Sequence, residues 1–404
     1  MGDTVIFPER LTQAMDILMI LQNNGYKAYF VGGCVRDLLN GQDIGDIDIA
    51  TSASPENVRQ IFDKVIPVGL EHGTVIVRYA HQSYEVTTFR TDGDYSDQRH
   101  PDTVRFMQTI DADLKRRDFT INALAMDIDG HIVDLFNGRE DIRKGLIRTV
   151  GNGVDRFRED PLRIIRAIRF SGQLGFSIAP ETRDAMIAVK QDIETVAVER
   201  IAEEMGKFFS GACVQMGMDD LRVTAIHNHM PIIGAYPNLI DKLPEPVMPL
   251  QTFGAVITMF YRLEPDVSIH EWVKRWKCSN KVKHQASELH EAMSRFETDG
   301  LSRWLVYCLP AGCYKDFTVL IRMFFDSIYC QQDITAIEHE LPIDSKRNLA
   351  IDGTDIRALF PNKEPGSWIG DLLNKIEKHV VTGHLHNDKY GIRDWIKWHQ
   401  HVID

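Results

Sequence analysis

The sequence predicts two architectures in one chain. A domain with a mixed β-sheet, α/β or α+β, covers about the first 150 residues, and a mostly helical remainder runs to Asp404. Three observations predict this. Short β-branched or alternating runs recur before residue 150 and thin out beyond it. Helical periodicity with glycine stops takes over from about residue 159. The length of 404 residues exceeds what one hydrophobic core usually serves, so several domains are expected.

Each element has its own signal. YFVG (29–32) is an apolar run leading into a glycine turn, and DIDIA (46–50) alternates; both predict strands. SPENVRQIF (54–62) predicts a helix, with Ser54 as N-cap, Pro55 at the first helical position and Asn57 three residues after the cap. TVIVRYA (74–80) and YEVTTFR (84–90) predict a hairpin joined by HQS, and HIVDLF (131–136) a further strand. EDPLRIIRAIRFSGQLG (159–175) and 180–211 carry helical periodicity. The remainder reads as helical, broken at DKLPEPVMPLQ (241–251), with boundaries expected near 210 and 300 and no internal repeat.

Composition narrows the class. The chain is 44% hydrophobic and 26% charged, ordinary for a folded soluble protein. No apolar run is long enough to span a bilayer; DILMILQ (16–22) reads as a surface helix rather than a signal peptide, and MGDTVI lacks the hydroxyl of a myristoylation signal. Six cysteines without a CxxC pair argue against a disulfide framework or a zinc knuckle and fit a reducing cytoplasm. The net charge of −12 is unevenly spread: Arg99–Arg169 holds 14 Lys or Arg against 12 Asp or Glu, a local +2 that permits a nucleic-acid partner.

The chemistry centres on VGGCVRDLLNGQDIGDIDIAT (31–51). On strand geometry Asp46 and Asp48 project from one face. Paired acids repel unless a cation lies between them, and oxygen ligands suit Mg²⁺ bound together with substrate phosphates. The preceding glycines let backbone N–H groups approach a triphosphate, to which Arg36 adds a forked charge. This stretch thus predicts a metal and triphosphate site, against the plainer alternative of a turn beside a solvated strand face. LKRRDFTINALAMD (114–127) places three cations before an apolar segment; in RFREDPLRIIRAIRF (156–170), Asp160 and Arg163 stand at i and i+3, with Arg166 and Arg169 continuing the row. A carboxylate accepts and a guanidinium donates. Cytosine and adenine both present an amino donor beside a ring-nitrogen acceptor, so a fixed Asp–Arg pair can hold C or A and reject U or G.

Together, GGCVRD–x8–DID, RRDFTINALAMD, DLFNGREDIRKGLIRTVG (134–151), EDPLRIIRAIRF and VERIAEE (198–204) resemble the five ordered motifs of class II tRNA nucleotidyltransferases, over residues 29 to about 205. The second half resembles the bacterial family in length and in LPIDSKRNLAIDGTDI (341–356). The resemblance implies an α+β nucleotidyltransferase head with a five-stranded mixed sheet (1–150), then a helical neck that recognises the base (151–210), a helical body (211–300) and a helical tail that holds tRNA (301–404). It implies addition of CCA to tRNA from CTP and ATP, with Mg²⁺ on Asp46 and Asp48 as catalytic ligands. Gly33, Arg36 and Arg117 would contact the nucleotide, and Asp160, Arg163, Arg166 and Arg169 would line its pocket. Asp118 is a candidate third carboxylate.

Other readings share part of the pattern. A bacterial poly(A) polymerase has similar head motifs, but the acidic second half lacks a strongly basic extension; a CC-only or A-only enzyme and a homodimer stay open. A non-catalytic RNA-binding protein would have no use for paired acids, nor a small-molecule nucleotidyltransferase for the long helical half. IHNHM (226–230) and HLHNDKY (384–390) are isolated histidine groups, and Trp395 and Trp398 are expected in a helical core. The charged segment RTDGDYSDQRHPDTVRF (90–106) predicts a mobile loop. Resemblance to the family's flexible loop implies a lever that resets the pocket from CTP to ATP.

Overall fold

The structure, a computed structural model, describes residues 8–93 and 103–399. The expected loop thus lies, from Asp94 to Asp102, outside the described residues. The chain forms two compact units, Met1–Asp241 and Lys242–Asp404.

The first unit opens with helix α1 (Glu9–Asn23), strand β1 (Ala28–Val31), α2 (Gly33–Leu39), β2 (Asp48–Thr51) and α3 (Pro55–Ile61). Ser54 caps α3 by accepting from the Asn57 N–H at 3.2 Å, with Pro55 following, as its sequence predicts. Then come β3 (Val65–Gly69), β4 (Thr74–Tyr79) and β5 (Gln82–Thr88). Ala80 and His81 turn the β4–β5 hairpin with φ of +46° and +63°, the left-handed geometry that matches strand twist. β6 (Arg90–Asp92) and β7 (Val104–Phe106) pair as a separate ribbon, followed by α4 (Ile110–Lys115), β8 (Leu124–Met126) and β9 (Ile132–Asp134).

The main sheet has seven strands in the order β3-β4-β5-β2-β1-β8-β9, mixed because β2 and β5 run parallel. The five strands expected are all present; β3 and β8 correct the count. β3 is an exposed edge interrupted by Pro67, and β8 is three buried residues inside an apolar run that carries no alternation to read. One face buries the register row Phe30, Ile49, Val86 and Val75, and α1 packs against β1. On the other face Val31, Ala50, Phe89 and Ala125 pack against Ile110 and Leu114 of α4. That helix covers only part of the face, and the site lies beside it.

Helices complete the unit: α5 (Gly138–Lys144), α6 (Gly153–Glu159), α7 (Leu162–Leu174), α8 (Pro180–Ala188), α9 (Val198–Phe209) and α10 (Val214–Thr224). The helix expected over 159–175 starts instead at Leu162, because Pro161 disfavours helical geometry at Asp160, which adopts φ −149° and ψ 99°. Among its described residues the second unit is helical: α11 (Phe253–Leu263), α12 (Ile269–Arg275), α13 (Asn280–Asp299), α14 (Arg303–Cys308), α15 (Tyr314–Phe325), α16 (Gln331–His339), α17 (Gly353–Leu359), α18 (Ser367–Val381) and α19 (Lys389–Trp398). Trp272 and Trp276 are fully buried against Phe260, and a further core gathers Ile356, Ile376, Val380 and Ile392 with Trp395 at its margin. Trp398 is 81% exposed, which corrects the expectation that both tryptophans of α19 are core.

Candidate active site

All the predicted site residues meet at one cavity of about 540 Å³ in the first unit: Gly33, Arg36, Asp46, Asp48, Arg117, Asp118, Asp160, Arg163, Arg166 and Arg169. Seven arginines and six carboxylates line it. The sheet supplies acids and the helices supply most of the cations.

Asp48 opens β2, and Asp46 stands in the bend just before it. The register adds an acid that sequence reading missed. Glu85 on β5 is the direct partner of Asp48, so both side chains leave the same face. The signal was present in YEVTTFR, an acid in a β-rich run, but outward acids are ordinary on strands. Among the described residues Asp48 and Glu85 of the sheet, with Asp46 just before β2, form the acidic side of the cavity. The Asp48 carboxyl is pushed up to about 6, first by burial and then by Glu85, with Asp46 adding and Arg117 opposing. Such an excess of negative charge, made only of oxygen donors, fits a hard divalent cation.

Asp118 takes a different part. Its Oδ2 accepts from Arg166 at 2.8 Å, while Oδ1 accepts from the Phe119 N–H at 2.8 Å and from the Asn122 amide at 3.1 Å. Burial opposes its ionisation, yet Arg166 and Asn122 hold the carboxyl far below the usual carboxylate range. Saturated in this way, Asp118 orients an arginine rather than offering a third metal ligand. Glu204 of α9 forms an ion pair with Arg169, at 2.9 Å, and also reaches Arg166 at 3.4 Å.

On the other side of Asp48 the chain turns at Gly32, and α2 carries Arg36 beneath it. The Arg36 guanidinium is aimed by Asp37, at 2.8 Å from Nε, and by the Asn122 side-chain oxygen at 2.6 Å. Buried Asp113 on α4 fixes Arg117 at 3.1 Å and Arg116 at 2.8 Å. The buried Nε of Arg117 has no hydrogen-bond partner among the described residues, leaving a donor free to meet a ligand.

Asp160 and Arg163 both line the cavity but do not pair. With Asp160 outside the helix, its carboxylate accepts from Arg200 of α9 at 2.8 and 3.2 Å, whereas Arg163 donates to Glu159 at 2.6 Å. Arg200 is a second residue missed in the sequence: it sits in VERIAEE, forty positions away, where no spacing links it to Asp160. The isolated histidines lie elsewhere; His227 is buried against the Leu221 carbonyl, and His229 pairs with Glu194 at 2.8 Å. Asp127, Asp129 and His131 cluster at the β8–β9 turn, away from the cavity lining.

A sheet that presents paired acids to a glycine turn and an arginine-lined cleft defines the nucleotidyltransferase class. Comparison agrees with the geometry. The poly(A) polymerase head-domain family matches residues 28–148, an RNA- and SrmB-binding-site family of polymerase A matches 175–236, and a tRNA nucleotidyltransferase domain 2 family matches 252–396. A CCA-adding enzyme of Oceanobacillus iheyensis is 46% identical over 393 residues, covering 97% of this chain and 98% of that protein. One from Bacillus cereus is 38% identical over 402 residues, covering 96% and 98%. The crystal structure of the Bacillus stearothermophilus CCA-adding enzyme in complex with CTP superposes with a TM-score of 0.85 at 34% identity, covering 98% of this chain and 99% of that one. The chain belongs to the CCA-adding family of tRNA nucleotidyltransferases.

Proposed function

We propose that the chain adds C, C and A in turn to the 3′ end of tRNA from CTP and ATP, releasing diphosphate and using no nucleic-acid template. The observation that carries this reading is the cavity itself, where two sheet carboxylates and Asp46 just before β2 face arginines from α2, the loop after α4, α7 and α9. Asp46, Asp48 and Glu85 would hold Mg²⁺. When bound, two such ions supply Lewis-acid activation of the terminal 3′-hydroxyl and neutralise the departing diphosphate. Arg36 and Arg117 bind the triphosphate, with the unmatched Nε of Arg117 as one donor. Arg166 and Arg169, fixed by Asp118 and Glu204, line the nucleotide pocket and hold its cationic side in place. Base choice belongs to Asp160, held by Arg200, together with Arg163: the carboxylate accepts the amino group shared by C and A, and a guanidinium donates to their ring nitrogen.

In this reading residues 1–150 are the catalytic head, 151–210 a neck that reads the base, 211–300 a body and 301–404 a tail that binds tRNA. Among the described residues no helix is long and apolar enough to cross a membrane, and the six cysteines are free, in keeping with a cytoplasmic setting. The test is extension of a tRNA ending at its discriminator base, with Mg²⁺ and each triphosphate alone and together. Two additions with CTP and three with CTP plus ATP are expected. An unbounded A tail from ATP alone would identify a poly(A) polymerase instead.

A further inference from the structure

The catalytic face of the sheet continues beyond its carboxylates. One register row runs across four strands as Asp48, Glu85, Ile76 and Ile66, since Asp48 pairs with Glu85, Glu85 with Ile76, and Ile76 with Ile66. Directly opposed residues share a face, so the two isoleucines stand beside the two acids. Under β1 and β8 this face is covered by Ile110 and Leu114 of α4. Among the described residues it is open at β4 and β3, with Ile76 half-buried and Ile66 44% exposed. Arg78 lies two positions after Ile76 on β4, and Lys64 lies two positions before Ile66, just ahead of β3; the two are joined by the Arg78 N–H to Lys64 carbonyl bond at 2.9 Å. Both cations are exposed, and among the described residues neither has an ion-pair partner.

We propose that this ledge is the seat of the RNA acceptor's 3′-terminal nucleotide, with its base against Ile76 and Ile66 and its phosphate near Arg78 and Lys64. The inference rests on the proposed role of Asp46, Asp48 and Glu85. The arginine cradle for the triphosphate occupies the β1 and β8 side of those acids, through Arg36, Arg117 and Asn122. A 3′-hydroxyl must therefore approach from the β5–β4–β3 side, and the face left uncovered there is the ledge. Its chemistry suits that occupant. In three successive additions the terminal base is the acceptor's own last base, then C, then C. An apolar platform takes the face of any base without reading its edge. Pro67 and the register shift between Pro67 and Gly69 break the free edge of β3, which disfavours pairing with a strand from another chain.

A tRNA lacking CCA and ending in 4-thiouridine, irradiated with the full chain and Mg²⁺, should crosslink within residues 64–78. Crosslinks confined to other segments would overturn the assignment. Ile66→Thr and Ile76→Thr keep a β-branched residue, and each should lower kcat/KM for tRNA about threefold to tenfold, with CTP affinity measured by direct binding unchanged. Arg78→Gln should reduce the salt dependence of tRNA binding by about one counterion. Unchanged tRNA kinetics, or CTP affinity falling in parallel, contradicts the proposal. A chain dimer whose mass is lost in Ile66→Thr would reveal a second copy as the occupant and equally contradict it. The two readings fail separately: an active Asp48→Asn enzyme overturns the catalytic assignment, whereas the crosslink reports only where the RNA end lies.

Discussion

Gly32 adopts φ +74° and ψ −131°, a conformation essentially reserved for glycine, and a Cβ there would stand 2.8 Å from Nη1 of Arg117. Arg117 is the flexible partner, so it must give way. Gly32→Ala should cost on the order of 1–3 kcal/mol in backbone strain and raise the KM for CTP roughly tenfold by displacing the guanidinium. A thermal melt and steady-state kinetics on one preparation check both. The neighbouring Gly33 is absent from the positive-φ glycines and has more room, so the strict conformational requirement of the pair falls on Gly32. Asp46 and Asp48 were legible because acids interrupted a pattern of buried isoleucines. Glu85 was not, because an acid on an alternating strand has an ordinary solvated reading until the register sets it beside Asp48. Asp118 misled for the converse reason: its position suggested a ligand, but its partner Arg166, half-buried, comes from a helix forty-eight residues on.

At the scale of elements, Pro161 decides the base pocket. It separates α6 from α7 and leaves Asp160 in the gap, where Arg200 of α9 can grip it. Helical spacing alone placed Asp160 and Arg163 together, and so overlooked a restriction that the sequence did contain, the proline after Asp160. The partner itself was beyond reach, since α7–α9 packing is a tertiary fact. If this gap orients the reading carboxylate, Arg200→Gln should raise misincorporation of UTP and GTP relative to CTP by about tenfold. Asp160→Ala should act in the same direction. Single-nucleotide competition assays check this, with the KM for the triphosphate as a control; a uniform loss of rate with unchanged selectivity would reduce the pair to a structural ion pair. The helix at 55–61 and the β4–β5 hairpin were legible because their caps and alternation are local. β3 and β8 were missed because their assignment depends on neighbours.

Across the whole molecule, the net charge of −12 conceals a division of labour. The acids that matter line one wall of a cavity whose other wall is built of arginines, and every one of those residues lies within Met1–Asp241. The order of motifs along the chain was readable, as was the change from mixed sheet to helices, because both follow from local composition and period. The partition into two compact units reflects long-range packing that no boundary signal near residue 241 announces beyond its prolines. The central claim is that one set of sheet carboxylates serves every nucleotide added. Single-turnover rates of C addition and of A addition, measured on Asp48→Asn and Glu85→Gln with tRNA binding as control, test it most directly. Both rates should fall together by more than about a hundredfold, equivalent to ~2.7 kcal/mol, with tRNA affinity retained. Near-normal A addition in an enzyme that has lost C addition would contradict it.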